Sequence, residues 1–318
     1  MIGKFSVIPG RGTGAMAEFV NENVLPNSIN LKDCNLIILP GNEDQIRKYT
    51  KNIVWCHVPS YKMPIKVSKY FFDPEILPFV DLFLVQSEFH KKDLSEHFDI
   101  DESKFYIVSN QFTPIEYKEK PKNKVNFMYT SQNSRGLDVL LKAFDKIKDK
   151  NVSLTLHCCE CEECLQPEDI SYEAKLILDK HNKIKNNQYS SKEIYIETLN
   201  NSHVYAYPCT FEETACIGVM EAMSAGVKIV TTDAGALPET TGGFAKIINN
   251  YPVMDFEVER LEKKLIKIFV KEMKKAIKEI RKNKFDPKPQ IEYINNRFSK
   301  ENSIKQWAEL DRIIGEMQ

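Results

Sequence analysis

Short apolar runs bounded by glycine, proline and polar residues recur along the chain, and between them lie segments whose apolar residues repeat every three to four positions. The short runs predict buried strands at Phe5–Ile8, Leu36–Leu39, Ile53–Cys56, Leu82–Val85 and Tyr106–Val108. Behind the fourth run, Ser87 is a good N-cap for a helix reaching Phe98. A polar stretch bearing lysine and proline, Tyr117–Lys124, reads as an interdomain linker. The pattern then restarts. Strands are expected at Val125–Tyr129, Val152–Leu156, Val204–Tyr207 and Lys228–Thr231. A helix is expected over Gly136–Phe144, with Leu137, Leu140, Leu141 and Phe144 on one face. Asp255–Lys284 reads as a long charged amphipathic helix. Ser299–Met317 reads as a last one, with Trp307, Leu310 and Ile313 on its apolar face. Strand and helix alternate without internal repeats, which predicts an α/β architecture.

The densest chemistry follows the Val204–Tyr207 run. An acidic turn, Glu212-Glu213, leads into a small-residue helix carrying Glu221 and closed by Gly226, and then into the next strand. Ligands of open α/β sheets bind outside the carboxyl ends of strands, against helix starts. On this reading Thr214 caps the helix, and the amides of Ala215, Cys216 and Ile217 face an anion such as a diphosphate. Two carboxylates beside a diphosphate make sense if each faces hydroxyl groups: Glu221 those of a ribose, Glu213 those of a sugar.

Glu213 and Glu221 form an E-x7-E pattern followed by Ala222-Met223-Ser224-Ala225-Gly226. Here the chain resembles the retaining glycosyltransferases of family four, and Asp233–Glu239 is similar to that family's next loop. The resemblance is strong over about residues 80 to 245 and weak in the first 50 and the tail. It implies a GT-B fold, two Rossmann-like domains facing each other across a cleft with a C-terminal helix returning to the first. The expected divisions are 1–118 as the acceptor-side domain, 119–290 as the nucleotide-sugar domain and 291–318 as the returning helix. The family assigns the first Glu to the donor sugar and the second to the ribose.

The resemblance also gives roles to residues that are ambiguous alone. His57, at a strand end in Trp55–Pro59, stands where the family often carries a histidine near the reacting centre; a strand-end histidine satisfied by backbone is the other reading. Arg135 matches the second of two cations that neutralise the diphosphate, while Ser131-Gln132 occupies the place of the first. The loop Pro9–Ala15, with Gly10, Gly12 and Gly14, sits where the family's glycine loop lines the cleft. A tight turn is the alternative; its spacing is not the dinucleotide fingerprint.

Composition narrows the setting. The chain has 318 residues, 42% of them hydrophobic, enough for two cores. A net charge of −1 argues against affinity dominated by phosphate backbones, so nucleic acid is possible but not favoured. The absence of a long apolar run predicts no transmembrane segment. The eight cysteines do not resemble a secreted disulfide framework, and a cytoplasmic, reducing setting is expected. Cys158, Cys161 and Cys164 have spacing able to hold zinc or an iron–sulfur cluster, with His157, Cys159 or Cys209 as a fourth ligand; free thiols in a loop are the favoured reading.

The expected activity is transfer of a sugar from a UDP-, GDP- or ADP-sugar to a glycan, lipid-linked or small-molecule acceptor. Retention is implied by the resemblance, and no metal or other cofactor is expected to be required. His57, Glu213 and Arg135 are the candidate catalytic residues. Gly12, Gly14, Arg135, Glu213, Thr214, Ala215, Cys216, Ile217 and Glu221 are the candidate donor contacts. An epimerase or hydrolase of the same fold, or a non-catalytic nucleotide-sugar or glycan-binding protein, are the alternatives.

Overall fold

The apolar runs become strands of two parallel sheets in a computed structural model, which describes residues 4–5, 13–40, 46–158, 170–187, 190–249 and 258–317. Met1–Phe112, Glu213–Ala215 and Phe298–Gln318 group as one unit; Thr113–Glu212 and Cys216–Arg297 form a second. The first crossing, at Phe112–Thr113, precedes the polar stretch 117–124.

The first unit runs through helix α1 (Thr13–Asn23), strands β1 (Asn35–Leu39) and β2 (Asn52–Cys56), helix α2 (Ile65–Phe71), strand β3 (Leu82–Val85), helix α3 (Glu88–Phe98) and strand β4 (Phe105–Ile107). The strands pair in the order β1-β2-β3-β4, all parallel. Every residue of β1, β2 and β3 is buried, as expected of strands covered on both faces. Alternate residues feed two cores. Leu36, Ile38, Ile53, Trp55 and Leu84 point to one, and Ile37, Leu39, Val54, Phe83 and Val85 to the other. Ser87 caps α3 as expected, accepting from the His90 amide. Of the expected strand Phe5–Ile8, Phe5 is in the first core and residues 6–8 lie outside the described residues.

The second unit holds β5 (Val125–Ser131), α4 (Leu137–Phe144), β6 (Val152–Cys158), α5 (Tyr172–Lys180), β7 (Ile184–Asn186), α6 (Lys192–Asn201) and β8 (Val204–Tyr207). It continues with α7 (Ile217–Ser224), β9 (Lys228–Thr232), α8 (Leu237–Thr241), β10 (Lys246–Ile248), α9 (Val258–Arg281) and α10 (Lys288–Arg297). The strand order is β10-β9-β8-β5-β6-β7, again all parallel. Helix α10 stays with this unit: the Gln290 side chain donates to the carbonyls of Met223 and Val227, both at 3.0 Å.

The last helix, α11 (Lys300–Glu316), packs on the first sheet through Trp307, Leu310 and Ile314. The expected face through Ile313 is off by one residue; Ile313 is half-buried, and Asp311 and Ile314 complete the stripe. The two tryptophans meet edge-on, with Trp55 and Trp307 centroids 5.2 Å apart. Polar anchors fix the register. The Asp311 carboxylate accepts from the amides of Ile29 (2.9 Å), Asn30 (2.9 Å) and Leu31 (2.7 Å). Lys51 donates to the carbonyls of Ile314 and Met317 at the helix end, both at 2.6 Å. Asp311→Ala removes one carboxylate and strands three amide donors. We expect it to destabilise the first unit by about 3 kcal/mol. Urea unfolding followed by tryptophan fluorescence checks this, and a loss below about 1 kcal/mol contradicts it.

Candidate functional site

Chain order reverses between the central strands β5 and β8 of the second sheet: β6 and β7 extend on one side, β9 and β10 on the other. The connections leaving β5 and β8 therefore diverge at the carboxyl edge and open a crevice. Each leads into an eight-residue helix, α4 or α7, whose N-terminus has no side-chain cap. No side chain therefore competes for these first turns, although backbone already takes one amide of each: Leu137 donates to Asn133 O at 3.2 Å and Val219 to Cys216 O at 3.1 Å.

The two connections touch through backbone. Gly136 has φ +100°, and a Cβ there would lie 1.9 Å from the Pro208 carbonyl oxygen. Only glycine fits both the dihedral and the space. Next to it, the Arg135 guanidinium lies 3.9 Å over the ring of Phe211 in the other connection. In α7, Gly218 tolerates little more, since a Cβ would meet the Tyr205 hydroxyl at 3.0 Å. The helix ends at the expected glycine. Gly226 (φ +69°) donates to Met223 O at 3.0 Å and Val227 to Ala222 O at 2.9 Å, the paired bonds of a left-handed C-terminal cap.

Glu221 sits in the second turn of α7, with its side chain 10% exposed. Its carboxylate accepts from two side chains of α6: the Tyr195 hydroxyl at 2.8 Å, and the ammonium of the half-exposed Lys192, which also stands 4.9 Å from the Tyr195 ring centroid. Burial and the adjacent Glu221 carboxylate push the Tyr195 phenol well above its ordinary pKa, so it remains a donor. Sequence reasoning missed both residues because it assigned no helix over 192–201. Ser191 was the available signal: its side chain caps α6, and a helix beginning there places Lys192 and Tyr195 one turn apart.

Residues 110–285, more than half the chain, match the family model described as glycosyl transferases group 1. The chain belongs to that family. Among solved structures it is similar to a glycosyltransferase from Rickettsia africae ESF-5, with 18% identity, TM-score 0.60, and coverage of 85% of this chain and 72% of that one. It is also similar to the pneumococcal O-GlcNAc transferase GtfA in complex with UDP and GlcNAc, with 14% identity and TM-score 0.60 over 84% of this chain and 53% of that one. A third similar structure is Anabaena Alr3699/HepE in complex with UDP-glucose, with 13% identity and TM-score 0.56 over 84% and 73% of the two chains. At these identities the likeness establishes the GT-B fold, and the chain spans about half the length of the GtfA protein. No curated protein sequence matches it.

The remaining candidates of this group 1 glycosyltransferase divide between the units. Arg135, Cys216, Ile217 and Glu221 belong to the second unit; His57, Glu213, Thr214 and Ala215 group with the first. Thr214 does not cap α7, a correction to the sequence expectation. The helix starts at Ile217, the cap position is Cys216, and no side chain caps it. That hydroxyl donates instead to the His57 carbonyl at 3.4 Å. Glu213 is buried. Glu239 in α8 pairs with Arg297 at 3.3 Å.

Gly12 lies outside the described residues, and Gly14 falls within α1, so the glycine loop is not placed. Cys161, Cys164 and Cys159 are likewise outside, and Cys158 ends β6. Of the other proposed ligands, His157 is bonded through both ring nitrogens, to Ser190 (2.8 Å) and Thr198 (2.9 Å), and the Cys209 thiol donates to Phe211 O at 3.1 Å. Among the described residues no cluster able to hold a metal ion occurs, and no helix is long and apolar enough to cross a membrane.

His57 carries its own constraint. Its ring lies against Trp55, centroids 4.4 Å apart and planes tilted by 53°, and its Nε2 is buried with no hydrogen-bond partner among the described residues. Burial, and then neighbouring His90, lower its pKa to about 3; burial lowers that of His90 to about 4. Both are therefore neutral at pH 7 in the folded state. As pH falls below about 6.5 the unfolded chain takes up protons that the native state refuses, so stability declines from about pH 6.5 toward about 3. We expect His57→Gln to flatten the decline in Tm between about pH 6.5 and 4. Identical slopes for the variant and the wild type would show that His57 titrates normally.

Proposed function

We propose that this glycosyltransferase transfers a sugar from a nucleoside-diphosphate sugar to an acceptor hydroxyl, with retention and without a divalent metal. The observation that carries the proposal is the buried Glu221 carboxylate in the second turn of α7, at the switch point between β5 and β8. A carboxylate there rejects phosphate and accepts hydroxyls, which suits a ribose; the uncapped α7 terminus and Arg135 suit the diphosphate joined to it.

In this reading the ribose hydroxyls replace the Lys192 ammonium on Glu221, while Tyr195 keeps the carboxylate in place. Released, Lys192 supplies the second cation that Ser131-Gln132 does not provide. The amides of Cys216 and Ile217, with Arg135, stabilise the negative charge that grows on the departing nucleoside diphosphate. Glu213 receives sugar hydroxyls, and His57, neutral at working pH, offers hydrogen bonding to sugar or acceptor without adding charge. Retention rests on the resemblance at Glu213–Glu221. The acceptor is a glycan, a lipid-linked sugar or a small molecule. A UDP-sugar is the first donor to test, because two proteins of similar fold are described with UDP or UDP-glucose bound.

The test is thermal denaturation with UDP-, GDP- and ADP-sugars. A donor at about one hundred times its Kd adds about 2.7 kcal/mol of stability. One nucleotide class is expected to raise Tm, with the rise abolished in Glu221→Ala and nucleoside diphosphate released only when an acceptor is added. A rise that survives Glu221→Ala, or none with any donor, refutes the assignment. EDTA is expected to leave turnover unchanged.

The role of Tyr195 is separable. Tyr195→Phe keeps the ring but loses one bond to a buried carboxylate, worth about 1.4 kcal/mol, so donor Kd should rise about tenfold. An unchanged Kd by titration calorimetry would mean that Tyr195 does not support the ribose contact.

A further inference from the structure

Helix α9 has 24 residues, about 36 Å at 1.5 Å per residue, and its sequence mixes lysine with glutamate. Such a mixture ordinarily gives a solvated, self-neutralising surface. The fold instead separates the two signs. Glu262 turns toward α4 and accepts from Lys142 at 2.6 Å. Glu272 is buried, and the half-buried Glu279 pairs with Lys228 of β9 at 3.1 Å. Leu265, Phe269, Met273, Ala276 and Ile280 fill the inner stripe.

Lys264, Lys267, Lys271, Lys274, Lys275 and Lys278 are exposed. At 3.6 residues per turn they fall within an arc of about 100° and over a length of about 21 Å. Lys275 reaches Glu279 only at 3.8 Å, and the other five form no ion pair among the described residues. The neighbouring cation at the end of the helix is spoken for, since Arg281 pairs with Asp149 at 2.6 Å. A chain of net charge −1 therefore carries a straight lysine stripe, and Glu262, Glu272 and Glu279, the acidic residues of this helix among the described side chains, lie outside its arc.

We propose that the outer face of α9 docks this protein on the surface of an anionic lipid bilayer. The stripe is linear, as long as several headgroups, and made of lysine. Lysine is a compact point charge suited to diffuse surface potentials, whereas nucleic-acid recognition draws on arginine forks and exposed aromatic rings, and the described side chains of this face, 264–278, include neither. Among the described side chains of α9 no large apolar one is fully exposed, so this face rests on the headgroups by charge and leaves when the charge is screened. The inference is independent of the donor-site reading, because none of these lysines belongs to that site.

The test is co-sedimentation of the full chain with vesicles of neutral lipid alone and of neutral lipid with about 30% anionic lipid, at about 0.1 M and 0.5 M salt. Wild-type protein should partition at least about tenfold more strongly onto the anionic vesicles at low salt, and that excess should vanish at high salt. The triple substitution Lys267→Glu, Lys271→Glu, Lys274→Glu should abolish it, and the milder Lys→Gln set should weaken it. Both variants must keep the wild-type circular dichroism and a cooperative thermal unfolding transition. Equal partition onto both vesicle types overturns the proposal, as does full binding by the triple variant. Binding to a duplex oligonucleotide without binding to anionic vesicles also overturns it and reassigns the stripe to nucleic acid.

Discussion

The close approach of the Gly136 backbone to the Pro208 carbonyl is the constraint on which the candidate site depends. With a Cβ placed 1.9 Å from that oxygen, any other residue would force the β5–α4 and β8–α7 connections apart. Their proximity is what brings Arg135 over Phe211 and sets two uncapped helix starts at one switch point. That edge therefore holds two helix starts without side-chain caps beside a guanidinium lying on an aromatic ring. The cost lies in Gly136 itself, whose φ of +100° excludes most side chains and whose unfolded chain has more freedom to lose.

The charges around α7 follow from the same placement. A buried carboxylate needs compensation, and Glu221 receives it from Lys192 and Tyr195 rather than from solvent. The far end of the helix is balanced too. Buried Lys120 donates to the Ala225 carbonyl at 2.6 Å and lies 5.0 Å from the Tyr117 ring, so a cation meets the negative end of the helix dipole. Burial lowers the pKa of Lys120 to about 8, which leaves it mostly charged at neutral pH. A helix without a side-chain cap at its N-terminus and with a capped C-terminus is polarised toward its open end.

Strands were legible in the sequence because parallel strands covered on both faces are continuous apolar runs; β1, β2, β3 and β8 show this plainly. Helix α4 was legible from its apolar stripe, and the Glu221 helix from its glycines and small residues. Helix α6 was not, since only Leu199 of its ten residues is buried and its pattern resembles a loop. The two residues that hold Glu221 were lost with it. Thr214 was misread for a different reason. A threonine shortly before a small-residue helix satisfies the capping pattern, but where the helix starts is set by tertiary structure, and the hydroxyl found the His57 carbonyl instead. Ile313 and Ile314 differ by one position, about 100° around a helix, and only the site of Asp311 decides which faces the core.

Helix α9 shows how the same limit works for charge. Its sequence gives the number of lysines and glutamates but not which of them share a face with a partner. Lys142 on α4 and Lys228 on β9 draw Glu262 and Glu279 to the inner flank, and the apolar stripe carries Glu272 out of water. The helix carries nine Lys and Arg against four Glu, and packing turns Glu262, Glu272 and Glu279 away from the lysine face. Every acid that this packing turned inward made the outer face more basic. The field a partner meets is therefore a property of α4, β9 and α9 together, and cannot be obtained by summing the charges of the helix alone.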